Sequence, residues 1–386
     1  MHHGNQVAVT GECPAMSNDT RKSSQVTNLL FILVSFSITV SACSISGATV
    51  QEIDVPSKAM ACTVRTAVIL PMDYASDEQM RFPVVYLLHG AGNDHTTYLQ
   101  PSILKSVDRG HFLAVIPDGG TDWWMDSPIL PTVKRETFVV QELVPYVDTH
   151  FRTIPQKEMR AIAGHSMGGQ GASRIGMRHT GLFGAVGNII GGVDIQSYTN
   201  RRDLIRLLGP SSENAERWRD YSVTTEAKRL QPSAIHFFSI VGTDDFFLES
   251  NRELHRILTN RKIAHEYTEV RGETDELSRH SRLFAYRALE RILARFAELF
   301  ALRRVQGSKR PEGVGCSGAT TLSHAEMQRF TKVTENGRGA LVATVRRQSN
   351  DTRHESCDTH HLVTRHSSLV TGTKRIASQL AATPPR

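Results

Sequence analysis

The stretch Arg160-Ala161-Ile162-Ala163-Gly164-His165-Ser166-Met167-Gly168-Gly169 decides how the chain is read. Arg160 to Gly164 has the composition of a strand, the residues after Gly169 have a helical pattern, and a serine sits at the join with glycines two residues to either side. A serine hydroxyl is a poor nucleophile unless it is exposed and aimed at a base. A strained strand-to-helix turn does the aiming, and the flanking glycines let the chain pass closely. Gly-x-Ser-x-Gly alone is a weak pattern; strand before and helix after make it informative. Ser166 is therefore the candidate nucleophile.

Working outward, short apolar runs rich in β-branched residues alternate with longer segments of helical period between Ser44 and Leu302. Strands are expected at Cys62 to Leu70, Val84 to Leu88, Phe112 to Ile116, Arg160 to Gly164, Gly184 to Ile190, Ala234 to Val241 and His265 to Val270. Most are near-continuous apolar runs, as when both faces of a sheet are covered. Phe138, Val139, Leu143, Val144 and Val147 mark one face of a helix reaching about Thr149. Leu289, Ile292, Leu293, Phe296, Leu299 and Phe300 mark another. The alternation predicts an α/β fold, a mostly parallel central sheet with helices on both faces.

A nucleophile needs a base, and the base an orienting carboxylate, in the chain order Ser, Asp, His. After the strand ending at Val241 comes Gly242-Thr243-Asp244-Asp245-Phe246-Phe247, a loop at the carboxyl end of a strand, where such a residue belongs. Either aspartate is a candidate, and capping of the helix expected at Glu249 to Leu258 explains Asp244 more readily than Asp245. The candidate base is His280. His265 begins its strand, at the wrong edge, and His324 onward fall in the tail. A solvated histidine in the first turn of the last helix is the bland alternative for His280.

Charge builds on the carbonyl oxygen during attack, so fixed donors should surround it. The strand Val84 to Leu88 runs into His89-Gly90-Ala91-Gly92. The amides of Ala91 and Met167 are the expected oxyanion donors, and His89 is expected to be structural. Trp123 and Trp124 are placed near the acyl pocket, with packing against the helix beginning near Val133 as the other reading.

Val85-Tyr86-Leu87-Leu88-His89-Gly90, Ile116-Pro117-Asp118-Gly119-Gly120, Trp123 with Asp126-Ser127-Pro128, Glu136-Thr137-Phe138, Glu142-Leu143-Val144-Pro145, Gly164 to Gly169, and Gly242-Thr243-Asp244-Asp245 together resemble the esterase D family of serine esterases. That family includes S-formylglutathione hydrolases, tributyrin-type esterases, feruloyl-esterase-like proteins and the antigen 85 mycolyltransferases. The resemblance covers about Val50 to Phe300. It implies a single α/β-hydrolase domain without a large lid, no cofactor, and turnover through an acyl-enzyme on small carboxylic or thio esters. The family pattern Gly-x-x-Asp-x-Phe favours Asp245 as the acid. In many members the histidine follows the last strand's glycine closely. Here His280 stands eight residues after Gly272, so either the loop is longer or the base is missing.

Composition bounds the rest. Apolar and charged fractions of 39% and 22% exclude a fibrous or wholly disordered chain. The net charge of +6 raises the question of nucleic acid, but residues 303–386 alone hold 14 Lys/Arg against 6 Asp/Glu, which leaves −2 for the remainder. Such a tail without interleaved aromatics reads as a basic disordered extension, and no nucleic-acid partner is expected. Cys13, Cys43, Cys62, Cys316 and Cys357 have no metal-ligand spacing, so no metal is expected. Once the leader is removed Cys62 stands as the lone thiol of the folded region, and no disulfide framework is implied. No glycine-rich phosphate loop occurs.

Leu29 to Ala42, preceded by Arg21 and Lys22, is an apolar run of 14 residues, short of the roughly 20 a membrane span needs. It reads as a signal peptide, so the protein is expected to be exported. Val40-Ser41-Ala42-Cys43 resembles a bacterial lipobox, which would anchor the chain to a membrane through lipidated Cys43; cleavage nearby, or an uncleaved leader, stays open. Three segments are thus expected: a leader over 1–43, a catalytic domain over 44–302 and a tail over 303–386. An acyltransferase of antigen 85 type, or an inactive binding protein on the same scaffold, remain alternatives to the esterase.

Overall fold

A computed structural model describes residues 47–271 and 280–308. The leader, the Gly272–Arg279 segment and the tail beyond Ser308 lie outside the described residues, as does the whole of a second unit, Ala325–Arg386.

Eight strands form one sheet in the order β1-β2-β4-β3-β5-β6-β7-β8: β1 (Thr49–Ser57), β2 (Cys62–Leu70), β3 (Val84–Leu88), β4 (Leu113–Pro117), β5 (Arg160–His165), β6 (Ala185–Ile189), β7 (His236–Gly242) and β8 (His265–Val270). β1 and β2 are antiparallel to their neighbours, and the other pairings are parallel. The seven strands expected from apolar runs are present to within two residues at either end. β1 had no such signal. It is an edge strand, its residues mostly exposed, paired only to β2 across a tight hairpin.

Among the described residues, the α-helices of five residues or more are α1 (Pro101–Gly110), α2 (Val144–His150), α3 (Met167–Arg178), α4 (Arg202–Leu208), α5 (Ala215–Tyr221), α6 (Val223–Ala227), α7 (Leu248–Asn260) and α8 (Arg282–Ser308). Strand side chains alternate between two apolar layers. Tyr86 and Leu88 of β3 point into one with Ile175 of α3 and Leu254 of α7. Val85 and Leu87 point into the other with Ile103 of α1 and Ile292 and Phe296 of α8. Each such buried side chain stabilises the fold by about 1.5–3 kcal/mol.

Two helical expectations need correction in detail. The helix over Phe138 to Thr149 buries the expected stripe, but Phe138–Leu143 is π-helical and only Val144–His150 is α. Pro145 has no amide hydrogen to return to Gln141, and its ring crowds that carbonyl, so the preceding turn widens. The last helix continues past Leu302 to Ser308. Its extension is held by polar anchors, because the Arg303 guanidinium donates to the Glu158 carbonyl at 2.6 Å and the Gly184 carbonyl at 3.2 Å. Cys62 is disulfide-bonded, so the expectation of a lone thiol in the folded region does not hold.

Candidate active site

The register of the sheet brings the candidate residues to one edge. Leu88 pairs with Gly164, Gly164 with Asn188, and Gly242 with Val270. The segments that follow β3, β5 and β7 therefore leave the sheet at the same edge, at the carboxyl ends of parallel strands.

Ser166 joins β5 to α3 with φ 56° and ψ −120°, a backbone conformation that a non-glycine residue rarely holds. It is held from both sides: its amide donates to the Ile189 carbonyl at 2.9 Å, and its carbonyl accepts from the Gln170 amide at 3.1 Å. The glycines have a measurable reason. A Cβ on Gly168 would lie 1.9 Å from the Leu88 carbonyl oxygen, and one on Gly164 would lie 2.4 Å from the Gly168 oxygen. Only bare Cα atoms allow α3 to approach β3 and β5 this closely.

His280 reaches Ser166 although it stands eight residues after Gly272. Its Nε2 lies 2.7 Å from the Ser166 Oγ, and its Nδ1 lies 2.9 Å from the Asp245 Oδ2. Asp245 has a fully buried carboxylate, and its Oδ1 accepts the Phe247 amide at 2.8 Å. With Nδ1 donating to the carboxylate, Nε2 presents its lone pair to the serine hydroxyl. Asp244, the other aspartate of the loop, does not share this bond to His280.

Met167 is the first residue of α3, where backbone amides have no partner within the helix. Ala91 lies on the exposed turn after β3. Leu88 and Gly164 are register partners, and Ala91 and Met167 each follow three residues later, so both residues stand just beyond the carboxyl ends of neighbouring strands. The turn is braced by His89, which donates from Nδ1 to the Gly90 carbonyl at 2.9 Å and accepts the Gly119 amide on Nε2 at 2.8 Å.

Trp123 and Trp124 are each only 1% exposed. Neither ring is open to solvent. The Trp123 indole donates to Asp203 Oδ2 at 2.7 Å and Trp124 to the His89 carbonyl at 3.0 Å. Trp124 packs edge-on against His89, in the space left by Gly119 and Gly171. Both indoles build the wall behind the site, and the β6–β7 excursion is tied to the same wall through Ser127 Oγ to the Leu207 carbonyl and Tyr221 to the Asp126 carbonyl.

Two networks escaped the sequence reading. His165, beside the nucleophile, bonds Tyr98 at 2.6 Å, and the Tyr98 hydroxyl donates to the Leu88 carbonyl at 3.0 Å. The tyrosine has one proton, so His165 must supply the other from Nδ1. Burial pushes the His165 ring down to about 3, and the nearby His280, His89 and Arg282 push in the same direction. Behind the serine, Asn251 donates to the Gly191 and Phe247 carbonyls, both at 2.9 Å, and accepts from Asn188 at 2.6 Å. The loop carrying Asp245 is thereby tied to the loop after β6. Neither network has a spacing of its own: Tyr98 and Asn251 are brought from a turn and a helix to polar side chains buried on β5 and β6. Among the described residues no group of His, Cys, Asp and Glu is arranged to hold a metal, and no helix is long and apolar enough to cross a membrane.

Comparison with known proteins adds an independent line. Residues 57–285 match the Esterase family, described as "Putative esterase". An esterase of Mycobacterium tuberculosis, Esterase Rv1288, is 28% identical over 234 residues, 53% of this chain and 51% of its own length. An acetyl esterase of Caldicellulosiruptor saccharolyticus is 28% identical over 256 residues, 58% of this chain and 92% of its own. The chain spans about half the length of the Mycobacterium relative. Among solved structures, an S-formylglutathione hydrolase of Agrobacterium tumefaciens superposes with a TM-score of 0.57 at 19% identity, over 66% of this chain and 96% of that one. At that identity the likeness speaks for the α/β-hydrolase fold alone.

Proposed function

We propose, from the premise that this chain belongs to the Esterase family, that it hydrolyses small carboxylic or thio esters through Ser166, His280 and Asp245. The observation that carries the reading is His280 bridging the other two, at 2.7 Å to the hydroxyl and 2.9 Å to the carboxylate.

In this mechanism Ser166 Oγ attacks the acyl carbon while its proton passes to His280 Nε2. Asp245 keeps Nδ1–H pointed inward and stabilises the imidazolium. The oxygen that gains charge turns toward the Ala91 and Met167 amides, each such donor lowering the barrier by roughly 3–4 kcal/mol. The bond to the leaving oxygen or sulfur then breaks, and that atom takes the proton from His280. Water, deprotonated by the same imidazole, releases the acyl group as a carboxylic acid and restores Ser166. An acetyl esterase among the relatives supports a short acyl group.

Export belongs to the same proposal. Its support is the apolar run Leu29 to Ala42 behind Arg21 and Lys22; the leader and Cys43 lie outside the described residues.

The test is hydrolysis of p-nitrophenyl acetate by the full chain, beside its Ser166→Ala and His280→Ala variants. Both variants are expected to lose at least about a thousandfold in kcat while keeping the wild-type circular dichroism spectrum. Activity retained in Ser166→Ala would remove the serine from the mechanism.

A further inference from the structure

The loop that carries the acid has two phenylalanines with opposite fates. Phe247 is buried, in edge contact with Tyr198 and close to Gly192. Phe246 is 60% exposed. Its ring centroid lies 4.6 Å from that of His280 with the planes 31° apart, and 4.3 Å from that of Phe247. The backbone fixes its position. Asp245 Oδ1 takes the Phe247 amide, and the Phe246 carbonyl accepts from the Tyr198 hydroxyl at 3.4 Å. An aromatic face is therefore held open to solvent beside the base. Leu283, three residues after His280 and in the first turn of α8, is also exposed.

We propose that Phe246 is a specificity residue that receives the alcohol side of the ester, and that the site prefers esters whose leaving alcohol carries an aromatic ring or an extended apolar group. This rests on the reading of Ser166, His280 and Asp245 given above. The side follows from the chemistry. When the acyl carbon is bonded to Ser166 Oγ, its bond to the alcohol oxygen breaks, the electron pair stays on that oxygen, and the proton on His280 Nε2 moves to it. The leaving oxygen must then lie within hydrogen-bonding reach of Nε2, about 3 Å. The carbons attached to it are on the imidazole's side of the acyl carbon, where the Phe246 ring stands. The acyl chain points away from the base and meets Phe246 less.

A competing role is open to the same ring: covering the His280–Asp245 bond from water. The two are separable by measuring kcat/KM for the full chain and its Phe246→Ser and Phe246→Trp variants. One series varies the alcohol (ethyl, hexyl and benzyl acetate, of similar leaving-group acidity). The other varies the acid (ethyl acetate, butyrate and hexanoate). Phe246→Ser is expected to lower the benzyl-to-ethyl and hexyl-to-ethyl ratios about fivefold to tenfold, the worth of one aromatic contact, without altering the acyl-series ratios or the pH–rate profile. Phe246→Trp, which keeps an aromatic face, should retain the benzyl preference. An equal fall for every ester with a displaced pH profile would assign the ring to shielding and overturn the proposal. Unchanged alcohol-series ratios would overturn it too. If the wild type hydrolyses none of these esters and a fluorophosphonate leaves Ser166 unlabelled, the triad itself is wrong and the proposal falls with it, an outcome distinct from a working enzyme indifferent to Phe246.

Discussion

Asp245 holds the His280 ring with one carboxylate oxygen, at 2.9 Å, and its own loop with the other, through the Phe247 amide at 2.8 Å. The acid is thereby fixed before any substrate arrives, and Asp244, one residue earlier, lacks that bond to the base.

Replacing Asp245 by Asn keeps the shape but lets the imidazole adopt the wrong tautomer. The expected outcome is a fall in kcat of about 10⁴-fold, against a near wild-type value for Asp244→Asn. Steady-state hydrolysis of p-nitrophenyl acetate by both variants checks the choice between the two aspartates.

Gly168→Ala should be among the costliest small changes in the chain. Its methyl would meet the Leu88 carbonyl oxygen, which is backbone within the sheet and unable to swing aside. A loss of about 1–3 kcal/mol is expected, with activity falling further because Ser166 is displaced. Thermal unfolding measured beside Gly47→Ala, where nothing lies within 4 Å, supplies the comparison.

Glu136 is buried beside Arg174 and also pairs with the more exposed Arg178 and His179. Burial alone would raise its carboxyl, but the His179 hydrogen bond and the Arg174 and Arg178 guanidiniums outweigh that and hold it at about 2. A depressed carboxylate contributes stability above its unfolded value, near 4.5, and loses it as pH falls toward 2. Glu136→Gln is therefore expected to cost on the order of 3 kcal/mol at pH 7, with the deficit narrowing below about pH 4.5. Chemical denaturation at pH 7, 4.5 and 3 reads that convergence.

For His165 the sign is set by a neutral ring. Its folded value, about 3, lies below the ordinary 6.5, so the folded state binds fewer protons and its stability declines as pH falls below 6.5. Nuclear magnetic resonance of the histidine ring protons should show no titration of His165 between pH 5 and 8. Tyr98→Phe, which removes the acceptor of the Nδ1 proton, should destabilise by about 1–3 kcal/mol.

Much of this was legible beforehand because it rests on short-range pattern. β5, Ser166 and α3 are adjacent in sequence, and the apolar runs of β3, β4 and β7 are buried on both faces. β1 was not legible, since an exposed edge strand needs neither an apolar run nor alternation. The burial of Trp123 and Trp124 was not legible for a related reason: it rests on tertiary contacts with His89, Gly171 and Asp203, which residue type does not encode. Residue type and chain order alone made His280 a candidate. Its approach to Ser166 and Asp245 is a tertiary relation that no local pattern encodes.

The Ser166 amide, bonded to the Ile189 carbonyl, makes the serine the last rung of the β5–β6 ladder, with β3 on one side and β7 on the other. Its amide hydrogen should exchange with deuterium only when the middle of the sheet opens. His280, by contrast, enters after β8, the strand at the sheet's margin. The donor and the acceptor of the catalytic proton thus belong to parts of the chain with different resistance to opening. On gentle warming, ester turnover should fade while the serine is still locked in place, and cooling should restore it without refolding of the sheet.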